Sequence, residues 1–271
     1  MGQALDDFIQ VRGARLRVRT AGAGAAVLLI HGWTLDLDMW TPQFAALADR
    51  YRLIAFDRRG FGLSTGTPGV ERDLADIEAL LAQLSIEQIA IVGMSQGARV
   101  ALRWAMRFPQ RTTCLILDGP PHDLLASGRS DGEIAFAQYR ELVRREGIEE
   151  FRRQWLEHPL MRLHTHDVRT RALLRRMVNC YPGRDLLADE AERLPAAGDL
   201  TQLDLPVLVI NGVHDSAARI GAGAELARML PDVRRAAIPA AGHLANLDNP
   251  GAYNAALGEF LASEYASCRA E

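Results

Sequence analysis

The sequence predicts an α/β protein in which the strands of a mostly parallel sheet alternate with helices. Short apolar runs, such as residues 26–30 and 89–92, are each followed by a glycine-containing turn and later by a stretch with helical spacing. Continuous apolar runs of this kind are typical of strands that are buried on both faces, as in parallel sheets. The length of 271 residues and the 48% hydrophobic content fit a single globular unit with a sizeable core.

The first half of the chain supplies most of the predicted strands. Two short segments that alternate apolar and polar residues and meet at Gly13 predict a β-hairpin. Leucine and isoleucine recur at helical spacing between residues 74 and 84, which predicts an amphipathic helix. The predicted elements are a hairpin at 8–11 and 15–20, strands at 26–30, 53–56, 89–92 and 113–118, and helices at 40–48, 71–84 and 98–108.

The alternation of strands and helices stops after residue 118 and resumes with strands at 206–211 and 234–238. The intervening residues contain no convincing strand but carry helical patterns separated by prolines. These patterns run approximately over 132–146, 148–157, 167–179 and 184–194. We therefore predict a core domain of residues 1–118 and 204–271, with a helical cap of residues 119–203 inserted after the sixth strand.

The segment GMSQG at residues 93–97 lies between an apolar strand and a helix. A serine at such a sharp turn adopts a strained backbone conformation, and glycine on both sides removes the collisions that larger side chains would cause. The Ser95 hydroxyl would then project from the sheet at the N-terminus of a helix, which is typical of a nucleophile. The alternative is an ordinary glycine-rich turn with a helix-capping serine.

A serine nucleophile requires a base, and the base requires an acid that orients it. His243 lies on a glycine-containing loop after the strand at 234–238, and Asp215 follows the strand at 206–211. Catalytic groups gather at the C-terminal ends of the strands in an open parallel sheet. Because Ser95 also follows a strand, we predict a catalytic triad of Ser95, Asp215 and His243.

Five motifs occur in a characteristic order along nearly the whole chain. They are LLIHGW at 28–33, FDRRGFGLS at 56–64, GMSQG at 93–97, GVHD at 212–215 and GHLANLDNP at 242–250. Together they resemble the α/β-hydrolase superfamily, in which the triad also occurs in the order serine, acid, histidine. The type most similar is the capped esterase and lactonase, and the loop around His243 resembles that of enol-lactone hydrolases and related bacterial esterases.

The resemblance implies an eight-stranded, mostly parallel sheet flanked by helices, an inserted helical cap, and catalysis without a cofactor or metal. It also implies an oxyanion hole formed by the backbone N–H groups of Trp33 and Gln96. The side chain of Trp33 either lines the acyl pocket or only packs in the core. Ser95 occupies the position at which haloalkane dehalogenases and epoxide hydrolases have an aspartate, which argues against those two activities.

Three assignments leave alternatives open. Asp118 also ends a strand and is a rival to Asp215 as the acid, although the GVHD turn favours Asp215. His31 precedes a glycine at a strand end, where a structural role at the oxyanion turn is favoured over that of a base. Asp57 and Arg58 are expected to fix a turn through ion pairing or capping.

Four aromatic residues of the predicted cap are candidates for the lining of an apolar substrate pocket. They are spaced at three or four residues within each pair, as on one face of a helix. The alternative is that they bury the cap against the core, and the same side chains can serve both purposes. The four residues are Phe136, Tyr139, Phe151 and Trp155.

The composition excludes several other classes of protein. A formal net charge of −3 and a pI near 6.2 give no sign of nucleic acid or an anionic membrane as a partner. Three widely spaced cysteines form no disulfide framework, and His164 with His166 lacks further metal ligands. The N-terminal residues do not resemble a signal peptide, so we expect a cytoplasmic protein. The oligomeric state stays open.

The function predicted from these features is that of a cofactor-independent serine hydrolase. It would cleave a small or medium carboxylic ester or lactone through an acyl-enzyme. The same triad also serves thioesterases, carbon–carbon bond hydrolases and perhydrolases, and the fold does not distinguish among them. A different class of function is that of a small-molecule receptor with vestigial hydrolase activity.

Overall fold

The structure, a computed structural model, describes residues 4–124, 133–188 and 198–267. Eight strands form one sheet, as expected. In chain order they are β1 (Leu5–Val11), β2 (Ala14–Ala21), β3 (Ala26–Ile30), β4 (Arg52–Phe56), β5 (Ile89–Met94), β6 (Thr112–Asp118), β7 (Val207–Gly212) and β8 (Val233–Ile238).

The strand order across the sheet is β1-β2-β4-β3-β5-β6-β7-β8. The β1–β2 hairpin is antiparallel and joins β4 in antiparallel fashion, whereas the other neighbours are parallel. The C-terminal ends of β3, β5, β6, β7 and β8 therefore meet at one edge of the sheet, where an open α/β sheet carries its functional groups.

Helices cover both faces of this sheet. The described helices are α1 (Thr41–Leu47), α2 (Val70–Gln83), α3 (Gln96–Arg107), α4 (Phe136–Glu146), α5 (Ile148–Leu156), α6 (Val168–Cys180), α7 (Arg184–Leu187), α8 (Ala217–Met229), α9 (Ala245–Asp248) and α10 (Pro250–Ser267).

Alternate residues of β3 supply the two hydrophobic cores. Val27 and Leu29 belong to the core on one face, whereas Leu28 and Ile30 belong to the core on the other. This division follows from the two-residue side-chain period of a strand. The strand is fully buried because helices pack on both faces, which explains its continuous apolar sequence.

The α/β fold class, with eight mostly parallel strands, is confirmed. The third helix begins at Gln96, two residues before the expected start, because Gly97 belongs to its first turn instead of preceding it. Between β6 and β7 the described residues form α4 to α7 and short 3₁₀ turns. The expected helix at 184–194 ends at Leu187, and positions 189–197 lie outside the described residues, as does the expected helix start at 132.

We use "inserted segment" for the described residues 133–188, which lie between β6 and β7. Part of this segment packs in the same hydrophobic core as α1 and α10. In the described part of the chain, no helix is both long and apolar enough to cross a membrane. The division into core and cap domains at residues 118 and 204 stays a prediction.

Candidate active site

Ser95 lies at the turn between β5 and α3, in the left-handed region of backbone space at φ 53°. A Cβ atom on Gly93 would lie 2.2 Å from the carbonyl oxygen of Gly97. A Cβ atom on Gly97 would lie 2.4 Å from the carbonyl oxygen of Ile30 in β3. Both glycines are therefore required by close backbone contacts, and the strained serine is fixed between them.

His243 and Asp215 meet at the C-terminal edge of the sheet. The Nδ1 atom of His243 is 3.1 Å from Oδ1 and 3.2 Å from Oδ2 of Asp215, and both side chains are buried. Burial by itself would raise the pKa of the Asp215 carboxyl, but the charge and hydrogen bond of His243 lower that pKa below its usual value. An ionised Asp215 accepts a hydrogen bond from Nδ1–H of His243, and the unprotonated Nε2 can then act as a base.

Asp118 ends β6 in the same region but has no hydrogen bond to His243 among the described contacts. Its fully buried carboxyl lies beside the hydroxyl of Tyr253 on α10. Burial, and then the charge of Asp215, raise the pKa of Asp118 well above its usual value. The contacts therefore place Asp215 on the histidine, whereas burial favours the neutral form of Asp118.

The residue after Asp118 fixes the position of the histidine ring. Gly119 has φ +52°, and a Cβ atom there would lie 2.8 Å from Cε1 and 2.9 Å from Nδ1 of His243. Because the ring packs directly on this backbone, only glycine leaves room for it.

We expect Gly119→Ala to lower kcat for an ester substrate by about 10²-fold, since a misplacement of about 1 Å costs that much in an enzyme site. The measurement is steady-state kinetics beside the thermal unfolding midpoint. Gly221→Ala is the matched control, because a Cβ atom at Gly221 on α8 would meet nothing within 4 Å. A Gly119→Ala enzyme with unchanged kcat would show that the ring tolerates displacement.

The two predicted oxyanion donors lie in the turns after two neighbouring strands, at the same edge of the sheet. Trp33 follows β3, and Gln96 begins α3 directly after Ser95. In the described part of the chain, neither backbone N–H has a backbone hydrogen-bond acceptor. Between the two turns, a Cβ atom on Gly32 would lie 3.4 Å from Cβ of Ser95.

His31 has the structural role that its sequence position favours. Its Nε2 atom accepts the backbone N–H of Arg58 at 2.9 Å, which leaves the proton on Nδ1 to be donated to the carbonyl of Gly32 at 2.7 Å. Complete burial, and then the charge of Arg58, lower the pKa of His31 to about 3. A neutral His31 with both ring nitrogens engaged cannot serve as the base.

Asp57 and Arg58 form hydrogen bonds and ion pairs with different residues, and the described contacts include no ion pair between the two. Asp57 accepts the backbone N–H groups of Leu37 and Leu63, each at 2.8 Å. Arg58 pairs with the buried Asp73 at 2.6 Å and donates to Oε1 of Gln96, also at 2.6 Å. Sequence reasoning missed this last contact, which anchors the side chain that follows the nucleophile.

A model of the alpha/beta hydrolase fold family matches residues 25–250, which is most of the chain. The protein belongs to the alpha/beta hydrolase family. An esterase from Thermogutta terrifontis, solved with malate bound, is 28% identical, with a TM-score of 0.81 over 97% of this chain and 99% of that one. The enol-lactonase from Burkholderia xenovorans LB400 is 24% identical, with a TM-score of 0.81 over 94% of this chain and 100% of that one.

One relative is named for a reaction other than ester or lactone hydrolysis. A Bacillus subtilis (strain 168) protein, provisionally named as a 2-succinyl-6-hydroxy-2,4-cyclohexadiene-1-carboxylate synthase, is 28% identical over 93% of this chain and 96% of its own length. Proteins similar to this chain over nearly its full length thus carry names for both ester hydrolysis and other chemistry. Membership of the family therefore does not select the substrate.

The four aromatic residues predicted to line a pocket are brought together around the ring of Trp33. Phe151 and Trp155 are almost completely buried, and Trp33 is only 4% exposed, whereas Phe136 and Tyr139 are half-buried. Their ring centroids lie between 4.7 and 6.4 Å from that of Trp33. The arrangement favours packing of the inserted segment on the core, and it leaves the pocket assignment a prediction.

Tyr181 is a member of this cluster that sequence reasoning missed. Its ring centroid lies 5.9 Å from that of Trp33 and 5.8 Å from that of Phe61. Tyr181 comes after the last turn of α6, immediately before Pro182, so it does not share the helical spacing that singled out the other aromatic residues.

A groove of about 1000 Å³ lies on the inserted segment between α5, α6 and the loop that joins them. Its lining includes His158, which stacks on Trp155 with ring centroids 4.4 Å apart, and His164, which stacks on His214 at 4.8 Å. Ser95 and His243 do not belong to the lining. The exposed Arg171 and Arg175 also border this groove.

Proposed function

We propose that the protein is a cofactor-independent serine hydrolase that cleaves a small or medium carboxylic ester or lactone. The observation that carries the proposal is the bond between His243 and Asp215, on the same sheet edge as the glycine-flanked Ser95. The 28% identical esterase, which aligns over nearly the full length of both chains, supports the choice of ester chemistry.

The proposed reaction begins when the Oγ atom of Ser95 attacks the carbonyl carbon and its proton passes to Nε2 of His243. Asp215 stabilises the imidazolium through Nδ1–H. The tetrahedral oxyanion is bound by the backbone N–H groups of Trp33 and Gln96. His243 then gives the proton to the leaving alkoxide, and the acyl-enzyme is hydrolysed by a water that His243 activates in the same way.

Repeated turnover of a p-nitrophenyl ester tests this proposal. We expect many equivalents of p-nitrophenolate per protein, and a fluorophosphonate probe that modifies Ser95 as mapped by peptide mass spectrometry. A single stoichiometric burst without turnover would instead support the receptor-like alternative. Release of no product, together with no labelling, would reject a serine hydrolase of any kind.

We also propose that residues 119–203 act as a cap that encloses the non-reacting part of the substrate. Support comes from the contacts of Phe136 and Trp155 with Trp33, which bring the inserted segment to the oxyanion turn. Lids of this kind exclude water and determine which substrates fit. The choice among ester, lactone, thioester and carbon–carbon bonds then depends on this segment.

Phe136→Ala should change the relative kcat/KM among p-nitrophenyl esters of increasing acyl length. We expect the preference between neighbouring chain lengths to shift by about tenfold, the usual contribution of a methylene in an apolar pocket. Phe260→Ala on α10 is the control, because Phe260 is buried in the core cluster against which the half-buried Phe136 packs. Equal losses for every ester in the Phe136 variant would identify this residue as a packing group.

A further inference from the structure

The turn that follows β3 makes two hydrogen bonds with the inserted segment, donating one and accepting the other. The indole Nε1–H of Trp33 donates to Oδ2 of Asp185 at 2.7 Å. The indole Nε1–H of Trp155 donates to Oγ1 of Thr34, also at 2.7 Å. Consecutive residues of the turn are thus bonded to two different helices of the segment, α5 and α7.

Thr34 needs such support because its backbone is strained. It has φ 63°, and its side chain is fully buried. A β-branched residue in the left-handed region is unfavourable and persists where its surroundings fix it. The bond from Trp155 engages the Thr34 side chain, so it stabilises the backbone conformation of the turn beside Trp33.

Asp185 links the side chain of Trp33 to Tyr181 of the inserted segment. It accepts hydrogen bonds from Trp33 and from the hydroxyl of Tyr181. Burial raises the pKa of Asp185 above its usual value, although these two bonds and the nearby charge of Arg58 offset part of the effect. The same Arg58 guanidinium donates to Oε1 of Gln96, whose backbone N–H is the second proposed donor.

We propose that the inserted segment completes the oxyanion hole, with Asp185 and Trp155 as positioning residues for the N–H of Trp33. This inference rests on the proposed serine hydrolase function. A hydrogen-bond donor stabilises the oxyanion only when it is already directed at the position where the charge develops. In this arrangement the segment controls the rate of the chemical step in addition to the fit of the substrate.

A pair of inhibitors isolates this effect. In a trifluoromethyl ketone, Oγ of Ser95 adds to the carbonyl carbon, the serine proton passes to His243, and the carbonyl oxygen becomes an oxyanion in the hole. The matched methyl ketone binds without forming this adduct. The ratio of the two inhibition constants therefore reports oxyanion binding separately from binding of the rest of the ligand.

The variants are Asp185→Leu, which removes the acceptor, and Trp155→Phe, which removes the donor but keeps a ring. For both we expect the inhibition constant of the trifluoromethyl ketone to rise about 10- to 100-fold, somewhat less than the loss of a whole oxyanion donor. That of the methyl ketone should change by less than about threefold. Asp185→Asn should restore tight binding, because its amide oxygen accepts from Trp33 and its NH₂ group can donate to Tyr181.

Trp40→Phe is the matched control for Trp155→Phe. Trp40 is fully buried in the same core cluster, and within the described residues its Nε1 atom has no hydrogen-bond partner. This variant should lose stability and keep the wild-type inhibitor ratio. If Asp185→Leu does not fold, Trp155→Phe and the comparison of Asp185→Asn with the wild type still decide the question.

The outcomes separate the two proposals. A wild-type protein that hydrolyses esters, combined with a wild-type inhibitor ratio in Trp155→Phe and Asp185→Leu, would overturn this inference and leave the hydrolase function standing. A ratio that changes as much in Asp185→Asn or in Trp40→Phe would also overturn it, because the effect would then be general destabilisation. A wild-type protein with neither turnover nor covalent adduct would overturn both.

Discussion

Ser95→Ala is expected to lower kcat for a p-nitrophenyl ester by about 10⁶-fold, the size of effect seen when the nucleophile of a serine protease is removed. Labelling by a fluorophosphonate should disappear, because the oxygen that attacks phosphorus is absent. The fold should be retained, since alanine keeps the Cβ atom already accommodated at φ 53° between Gly93 and Gly97.

Ser64→Ala provides the control for this experiment. Ser64 is a buried serine whose hydroxyl donates to the carbonyl of Asp57 at 2.7 Å and accepts the N–H of Arg17 at 2.9 Å. Its removal should lower the unfolding midpoint but keep full labelling. Labelling of another serine in Ser95→Ala, at the wild-type rate, would end the assignment of the nucleophile.

The second large effect is expected for the acid. Asp215→Asn should lower kcat by about 10⁴-fold, because an amide in that place favours the wrong tautomer of the histidine. Asp118→Asn should lower kcat by less than about tenfold, since an amide resembles the neutral carboxyl that burial favours at this position. Steady-state kinetics of the two variants at the same pH measure the difference, and the reverse order of losses would assign the acid to Asp118.

Stability against pH gives an independent check on Asp118. Its pKa is raised in the folded state, so ionisation opposes folding. Its favourable contribution is complete below the unfolded pKa and is lost as the pH rises through the folded value. Asp118→Asn has no such ionisation. Its free energy of unfolding, measured with denaturant, should therefore fall less than that of the wild type as the pH is raised above the ordinary pKa of a carboxyl.

The features that could be predicted from sequence are those encoded locally. Glycines at fixed spacing predict the turn around Ser95, and the alternation of residues in β3 between the two cores follows from the two-residue period of a strand. The contacts of Asp185 and Arg58 could not be predicted in this way. Asp185 is 152 residues from Trp33 in sequence, and no spacing rule links a carboxylate in a short helix with an indole at such a separation.

The ends of helices and strands were predicted less accurately than their presence, because the local sequence is ambiguous there. Gly97 reads as the end of a turn because glycine disfavours helices, yet it lies in the first turn of α3. The backbone of β3 approaches so closely that no other residue fits there. A tertiary contact therefore overrides the intrinsic preference, and the sequence alone does not contain the information that a second strand is near.

The pairing of β6 with β7 has a consequence for how this protein diverges from its relatives. The two strands are hydrogen-bonded neighbours although about 90 residues separate them, and doubling such an excursion costs only about 0.6 kcal/mol in loop-closure entropy. The sheet therefore tolerates insertions of many lengths at this point. Suppose that a relative's segment replaced the residues between β6 and β7 but lacked an acceptor for the indole of Trp33 and a donor for Thr34. We expect such a chimaera to fold on the same sheet but to hydrolyse esters more slowly than the wild type.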